Sequence, residues 1–264
     1  QKSLVNNHLF AIAATYAKIN SLTISNDELN NIIYNQTVEI PQAFRSLRNY
    51  LNLIKTYMFS DQEELTINEI ASVYGQFVRK DFNGSFENLF RETDLINPDE
   101  HKEKGSHYEA APLDKIKSMF SDLLSYLSNK EEIPLIKSSI LLFYLTYIVP
   151  FNYFNEECNL ILFKYILGGK NYKILTMLIN FEEEFLECNS SSFKSAFLSS
   201  EKTLDLTYFV NYVIDRVSKA LEDFSSVKQV MFNKEIISPK KEEIKEVEEL
   251  KEKLLKEFEK NNNL

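Results

Sequence analysis

Apolar residues recur along most of this chain at intervals of three and four, the period of an amphipathic helix. Leu9, Ile12, Ala13, Tyr16 and Ile19 predict a first helix over residues 4–20, and Asn26-Asp27-Glu28 opens a second that runs to Ile33. Pro41 begins a third, striped by Phe44, Leu47, Leu51, Ile54 and Met58 and broken at Ser60-Asp61. Thr66, with Glu69 three residues on, reads as the capping box of a fourth helix that turns Ile70, Val73, Tyr74 and Phe77 inward. Residues 114–127 repeat the stripe through Ile116, Met119, Phe120, Leu123, Leu124 and Leu127. From Pro134 to Gly169 the pattern changes. Two almost wholly apolar segments, 140–151 and 160–167, flank a short polar loop at 152–157. A helix that is apolar all round is buried, so this stretch reads as a helix, tight loop, helix unit at the centre of the molecule. Such a loop presents backbone N–H groups at the start of its second helix, where an anion can be held, and Asn155 suits the N-cap position.

Beyond Gly168-Gly169 the pattern predicts a helix over Tyr172 to Phe185, a further one over Phe193 to Leu198, and one capped by Asp205 that buries Phe209, Val210, Val213, Ile214, Val217 and Leu221. Ser238-Pro239 then starts a charge-dense segment with Ile244, Val247, Leu250, Leu254 and Phe258 on one stripe. That tail reads as a projecting helix that packs on the body, joins a partner, or frays. Residues 81–112 are the least regular, with Gly84, Pro98, Gly105 and Pro112 and a polar run from Asn97 to Ser106. A segment of this length in a compact domain is either functional or a mobile surface loop. No internal repeat is present.

Composition narrows the field. The chain has 264 residues, 44% of them hydrophobic, and only 5 Gly and 6 Pro. That supports a sizeable helical core and argues against sandwiches and barrels. Neither G-x-G-x-x-G nor G-x-x-x-x-G-K occurs, which removes the anchors of Rossmann and P-loop nucleotide sites. A net charge of −9 repels nucleic-acid phosphates, so no nucleic-acid partner is expected. Cys158 and Cys188 lie in separate elements and read as reduced, structural thiols. With His8, His101 and His107 scattered, no metal site is expected. The first residues lack a basic start followed by an apolar run, and the apolar run 140–151 is too short to span a bilayer. No membrane association and a cytoplasmic location are therefore the default expectation.

The central unit reads Val149-Pro150-Phe151-Asn152-Tyr153-Phe154-Asn155-Glu156-Glu157-Cys158-Asn159-Leu160. It resembles the Fic (Fido) family motif H-x-F-x-(D/E)-G-N-G-R-x-x-R in a degenerate form: Pro150, Phe151 and the central Asn155 are retained. Other stretches follow in the family's order over about residues 11–221. Tyr16 to Ser21 resembles its N-terminal inhibitory helix, Leu65 to Ile70 the start of its next core helix, and Phe90-Arg91 the step into its flap. Tyr108 to Pro112 falls where relatives have a tyrosine and prolines, and Asp205 to Phe209 resembles a late helix start. The resemblance implies an all-α, Fic-like helical bundle around the central helix-loop-helix, with room for a small β-hairpin flap at 81–112. It also implies a division into N-terminal helices (1–60, including the inhibitory-like segment), a Fic-like core (61–225) and a charged helical tail (226–264).

In that family AMP passes from ATP to a protein hydroxyl. The resemblance assigns the general base to the motif histidine, Mg²⁺ to the acid, phosphates to the Gly-Asn-Gly turn and charge clamping to the arginines. Here Val149 stands at the histidine position, Tyr153 at the acid, Phe154 and Glu156 at the glycines, and Glu157 and Leu160 at the arginines. Valine accepts no proton, so no catalytic residue is expected, and the acidic pair opposes a triphosphate by about 4 kcal/mol per like-charge pair at 4 Å and an effective dielectric of 20. Asn20 replaces the inhibitory glutamate just as Leu160 replaces its arginine partner. Asn155 remains the one cofactor-binding candidate by motif equivalence, and Tyr108 and Pro112 are the flap candidates for gripping a protein. No cofactor is expected. The favoured expectation is a catalytically silent Fic-like protein that binds a protein partner, with homo-oligomerisation open. The alternatives are an active Fic-type transferase that uses ATP and Mg²⁺, and a helical adaptor with no inherited pocket.

Overall fold

The computed structural model describes residues 2–34, 39–58, 65–80, 82, 88–93, 110–129, 132–168, 176, 179–185 and 191–233. The helices are α1 (Lys2–Ile19), α2 (Asn26–Tyr34), α3 (Arg45–Met58, entered through a 3₁₀ turn Gln42–Phe44), α4 (Ile67–Val78), α5 (Leu113–Leu127), α6 (Pro134–Ile148), α7 (Asn155–Leu167), α8 (Phe181–Phe185), α9 (Ser191–Thr203) and α10 (Thr207–Asn233). Among the described residues there is no strand, and the all-α expectation holds. The chain forms two compact units, Gln1–Ile214 and Asp215–Leu264; of the second, the described part is the remainder of α10. Among the described residues no helix is long and apolar enough to cross a membrane.

Helix starts follow local chemistry. Pro134 occupies the first turn of α6, where its missing N–H costs nothing. The Thr66–Glu69 capping box is present at α4: the Thr66 N–H donates to Glu69 Oε2 at 2.9 Å and the Glu69 N–H to Thr66 Oγ1 at 3.4 Å. A second reciprocal box, Ser25–Glu28, starts α2 in the same way. Asp205 acts one step earlier than a cap, its Oδ1 accepting the Thr207 N–H at 2.9 Å. The continuous helix expected from Tyr172 to Phe185 is interrupted at Ile179-Asn180. Asn180 competes with the helix, its side chain donating to Thr15 Oγ1 at 2.9 Å while its carbonyl accepts the Glu183 N–H.

The core sits around α7, in which every residue from Cys158 to Leu167 is buried. α6 packs along it as its main partner, with α3, α4 and α8 on other sides. Apolar residues on all faces of α7 explain why neither helix of this pair has an amphipathic stripe. Aromatic rings fill much of the remaining interior. Phe143 of α6 meets Phe197 and Phe209, and Phe163 of α7 meets Phe181 and Phe185 at 5.2 and 5.4 Å. Burying each such side chain contributes about 1.5–3 kcal/mol.

Candidate functional site

The loop between α6 and α7 is held by side chains and backbone of several elements. α6 ends at Ile148, and Val149 turns the chain with φ 46° and ψ 65°, left-handed values that strain a β-branched residue. Its carbonyl accepts Arg91 Nε at 2.9 Å, and the Pro150 carbonyl accepts the Arg91 N–H at 2.8 Å. The buried Arg91 guanidinium also donates to the carbonyls of Ala111 and Thr93. One side chain thereby joins Thr93 and Ala111 to the loop. Phe151 is fully buried and stacks on Tyr74, ring centroids 4.4 Å apart at 14°.

Asn155 was expected at the N-cap, but Phe154 occupies that position with φ 59° and makes no side-chain cap. Asn155 is the first helical residue, and its amide pairs with the backbone of Phe151. Oδ1 accepts the Phe151 N–H at 2.9 Å, and Nδ2 donates to the Phe151 carbonyl at 2.8 Å. The backbone N–H groups of Asn152 and Tyr153 face the Tyr74 hydroxyl. Phe154 adopts the left-handed conformation that favours glycine, and its ring stacks on Phe77 at 5.0 Å. Tyr153 points outward and is 70% exposed.

On the far side of the loop, Glu156 and Glu157 are half-buried in the first turn of α7, where the helix dipole suits their charge. Glu157 Oε1 accepts the Tyr16 hydroxyl of α1 at 3.2 Å. Burial, then the neighbouring Glu157, pushes the Tyr16 phenol well above its ordinary range. Tyr16 stacks on Tyr50 at 4.9 Å, and the Tyr50 hydroxyl donates to Glu182 Oε1 at 2.8 Å. The same oxygen takes the Lys164 ammonium in a buried ion pair. Burial lowers the pKa of Lys164 against the opposing pull of Glu182. His8 of α1 completes the cluster, its Nε2–H donating to the Thr176 carbonyl at 3.1 Å. Asn20 turns back and donates to the Tyr16 carbonyl at 3.0 Å. Leu160 is buried.

The structure therefore brings Val149 and Asn155 together with Arg91, Tyr74 and Glu157. Pro112 is exposed at the start of α5, and the neighbouring Ala111 carbonyl reaches Arg91. Tyr108 and most of the expected flap lie outside the described residues, as does the tail beyond Asn233. Sequence reasoning missed the Tyr16–Glu157 contact and the His8–Lys164–Glu182 cluster. The signal for the second was present: Lys164 is a lone cation inside the run Leu160 to Leu167, and a buried lysine needs a partner.

These residues do not fit a magnesium nucleotide. Phe154 places a ring where a phosphate cradle needs a bare backbone, and Glu156 and Glu157 oppose phosphate charge. Among the described residues no group of three or more His, Cys, Asp or Glu could hold a metal ion.

The fold is that of Fic proteins. The chain superposes on a Fic family protein from Desulfovibrio desulfuricans G20 with a TM-score of 0.65 and 18% identity, over 86% of this chain and 67% of that one. It also matches a Fic domain containing signaling protein from Bacteroides thetaiotaomicron VPI-5482, with a TM-score of 0.52 and 12% identity, over 85% and 90% of the two chains. At these identities the likeness establishes the fold. No protein-family model matches the sequence, and no curated protein does.

Proposed function

We propose that this chain is a Fic-fold pseudoenzyme that works by binding another protein rather than by transferring a nucleotide. The observation that carries this reading is the occupancy of the motif loop by the chain's own groups. Asn155 is engaged by the Phe151 backbone, Glu157 by Tyr16, and the Val149 and Pro150 carbonyls by Arg91. Val149 has no proton-accepting atom at the place where the transfer would need one. Two further features support a protein partner. The surface is acidic overall, which disfavours nucleic acid, and Tyr153 is an exposed aromatic on an otherwise tightly held loop.

The test is intact-mass spectrometry of the protein, and of candidate target proteins, after incubation with ATP, CTP, GTP or UTP and Mg²⁺. The expected result is unchanged masses throughout. A nucleotidyl or phosphoryl increment on the chain or on a target would overturn the reading in favour of an active Fic-type transferase.

A further inference from the structure

Away from the motif loop, two helix faces leave a gap. On α3, Ile54 and Tyr57 stand three residues apart and share a face, and on α7 Ile161 and Lys164 do the same. These two pairs, with Thr176, line a cleft of about 260 Å³, its open mouth included. Ile54, Ile161, Lys164 and Thr176 are buried, and Tyr57 is half-buried. The Tyr57 ring is fixed by edge-on packing against Tyr165, centroids 5.2 Å apart. The walls are therefore mostly apolar and preformed, with one strong polar group among them. An ammonium carries three donors. Among the described residues Lys164 gives one of them to Glu182 Oε1, an oxygen that also accepts the Tyr50 hydroxyl. The Lys164 side chain is only 7% exposed, so an acceptor for its other N–H groups has to come from the cleft.

Charge decides what kind of acceptor fits. Lys164 is already neutralised by Glu182, whose second oxygen has no hydrogen-bond partner. Burial, and then Lys164, keep the neighbouring His8 ring uncharged near neutral pH. An entering anion would meet a carboxylate with spare capacity and no unbalanced cation, in a desolvated place where its charge is costly. We propose that this cleft is a binding site for a small uncharged molecule with a carbonyl or hydroxyl oxygen and a short apolar body, the oxygen accepting from Lys164 and the carbons lying against Ile54, Ile161 and Tyr57. The site goes beyond the proposed function and holds whether or not the motif loop takes nucleotide.

Propionamide serves as the probe, titrated into the full chain while the isoleucine methyl ¹H–¹³C shifts are followed. The expected result is saturable movement of the Ile54 and Ile161 methyls with half-saturation in the millimolar range, the strength open to so few atoms. Propionate has nearly the same shape with a charge added, and should bind more weakly by about tenfold or more. Lys164→Met keeps the length of the side chain and removes its donors, and should weaken propionamide by about tenfold. Shifts that grow without saturating, or saturation at methyls elsewhere in the protein, would overturn the proposal. So would propionate that binds as well as the amide, or a methionine variant that binds propionamide unchanged. Should that variant fail to fold, the comparison of amide with carboxylate on the unaltered chain decides alone.

Discussion

Asn155 shows how a polar side chain in a loop between two helices can serve the fold. Both polar ends of its amide are spent on the Phe151 backbone. Asn155→Ala should leave an N–H and a carbonyl of a buried residue without partners and destabilise by about 2–3 kcal/mol in urea unfolding. If that variant were as stable as the parent, the amide would have been free for some other role. Arg91 makes a related point. Its fork donates to carbonyls of three separate segments and buries its charge in doing so. Arg91→Lys retains the charge but not the fork, and should still lose about 2–4 kcal/mol. Full retention of stability by the lysine variant would show that charge alone suffices.

At the scale of elements, α4 carries a constraint that no propensity scale reveals. A Cβ added at Gly75 would lie 2.3 Å from the Lys80 carbonyl oxygen, because the chain turns back over the helix through left-handed Arg79. Gly to Ala inside a helix ordinarily stabilises by about 0.5–1 kcal/mol. Here Gly75→Ala should destabilise by about 1–3 kcal/mol, read from the shift in the urea midpoint. The same element shows what was legible in the sequence. The Thr66–Glu69 box and the inward set Ile70, Val73, Tyr74 and Phe77 all appear where periodicity and capping place them. Ser25–Glu28 offered an identical spacing and forms the box that precedes α2, whose first residue is Asn26 as expected. The break before α8 was not legible, because Asn180 stops the helix by donating to Thr15, far away in sequence. The Tyr16–Glu157 contact spans 141 residues and follows from no local rule. Periodicity finds helices and their buried faces; it says nothing about which buried polar groups meet.

At the scale of the whole molecule, a helical body of the Fic kind has a filled motif loop at its centre and a buried ionic cluster beneath its N-terminal helix. The cluster makes stability depend on pH with a definite sign. His8 binds its proton less readily folded, at about 4, than unfolded. The unfolded chain therefore holds more protons between those values, and stability is lost as pH falls from about 6.5 toward 4. Those two values correspond to about 3 kcal/mol from this ring alone. Chemical denaturation at a series of pH values should show that decline, and His8→Gln should remove most of it. A decline of the same size in the glutamine variant would assign the effect to carboxylates instead.

The central claim is that the motif loop is closed to nucleotide by the protein's own side chains. Thermal unfolding with and without 1 mM ATP and excess Mg²⁺, paired with a calorimetric titration, addresses it most directly. The account predicts no heat of binding and an unchanged midpoint. A site with a dissociation constant near 10 μM would stabilise the protein by about 2.7 kcal/mol under those conditions, and a midpoint shift of that order would contradict it.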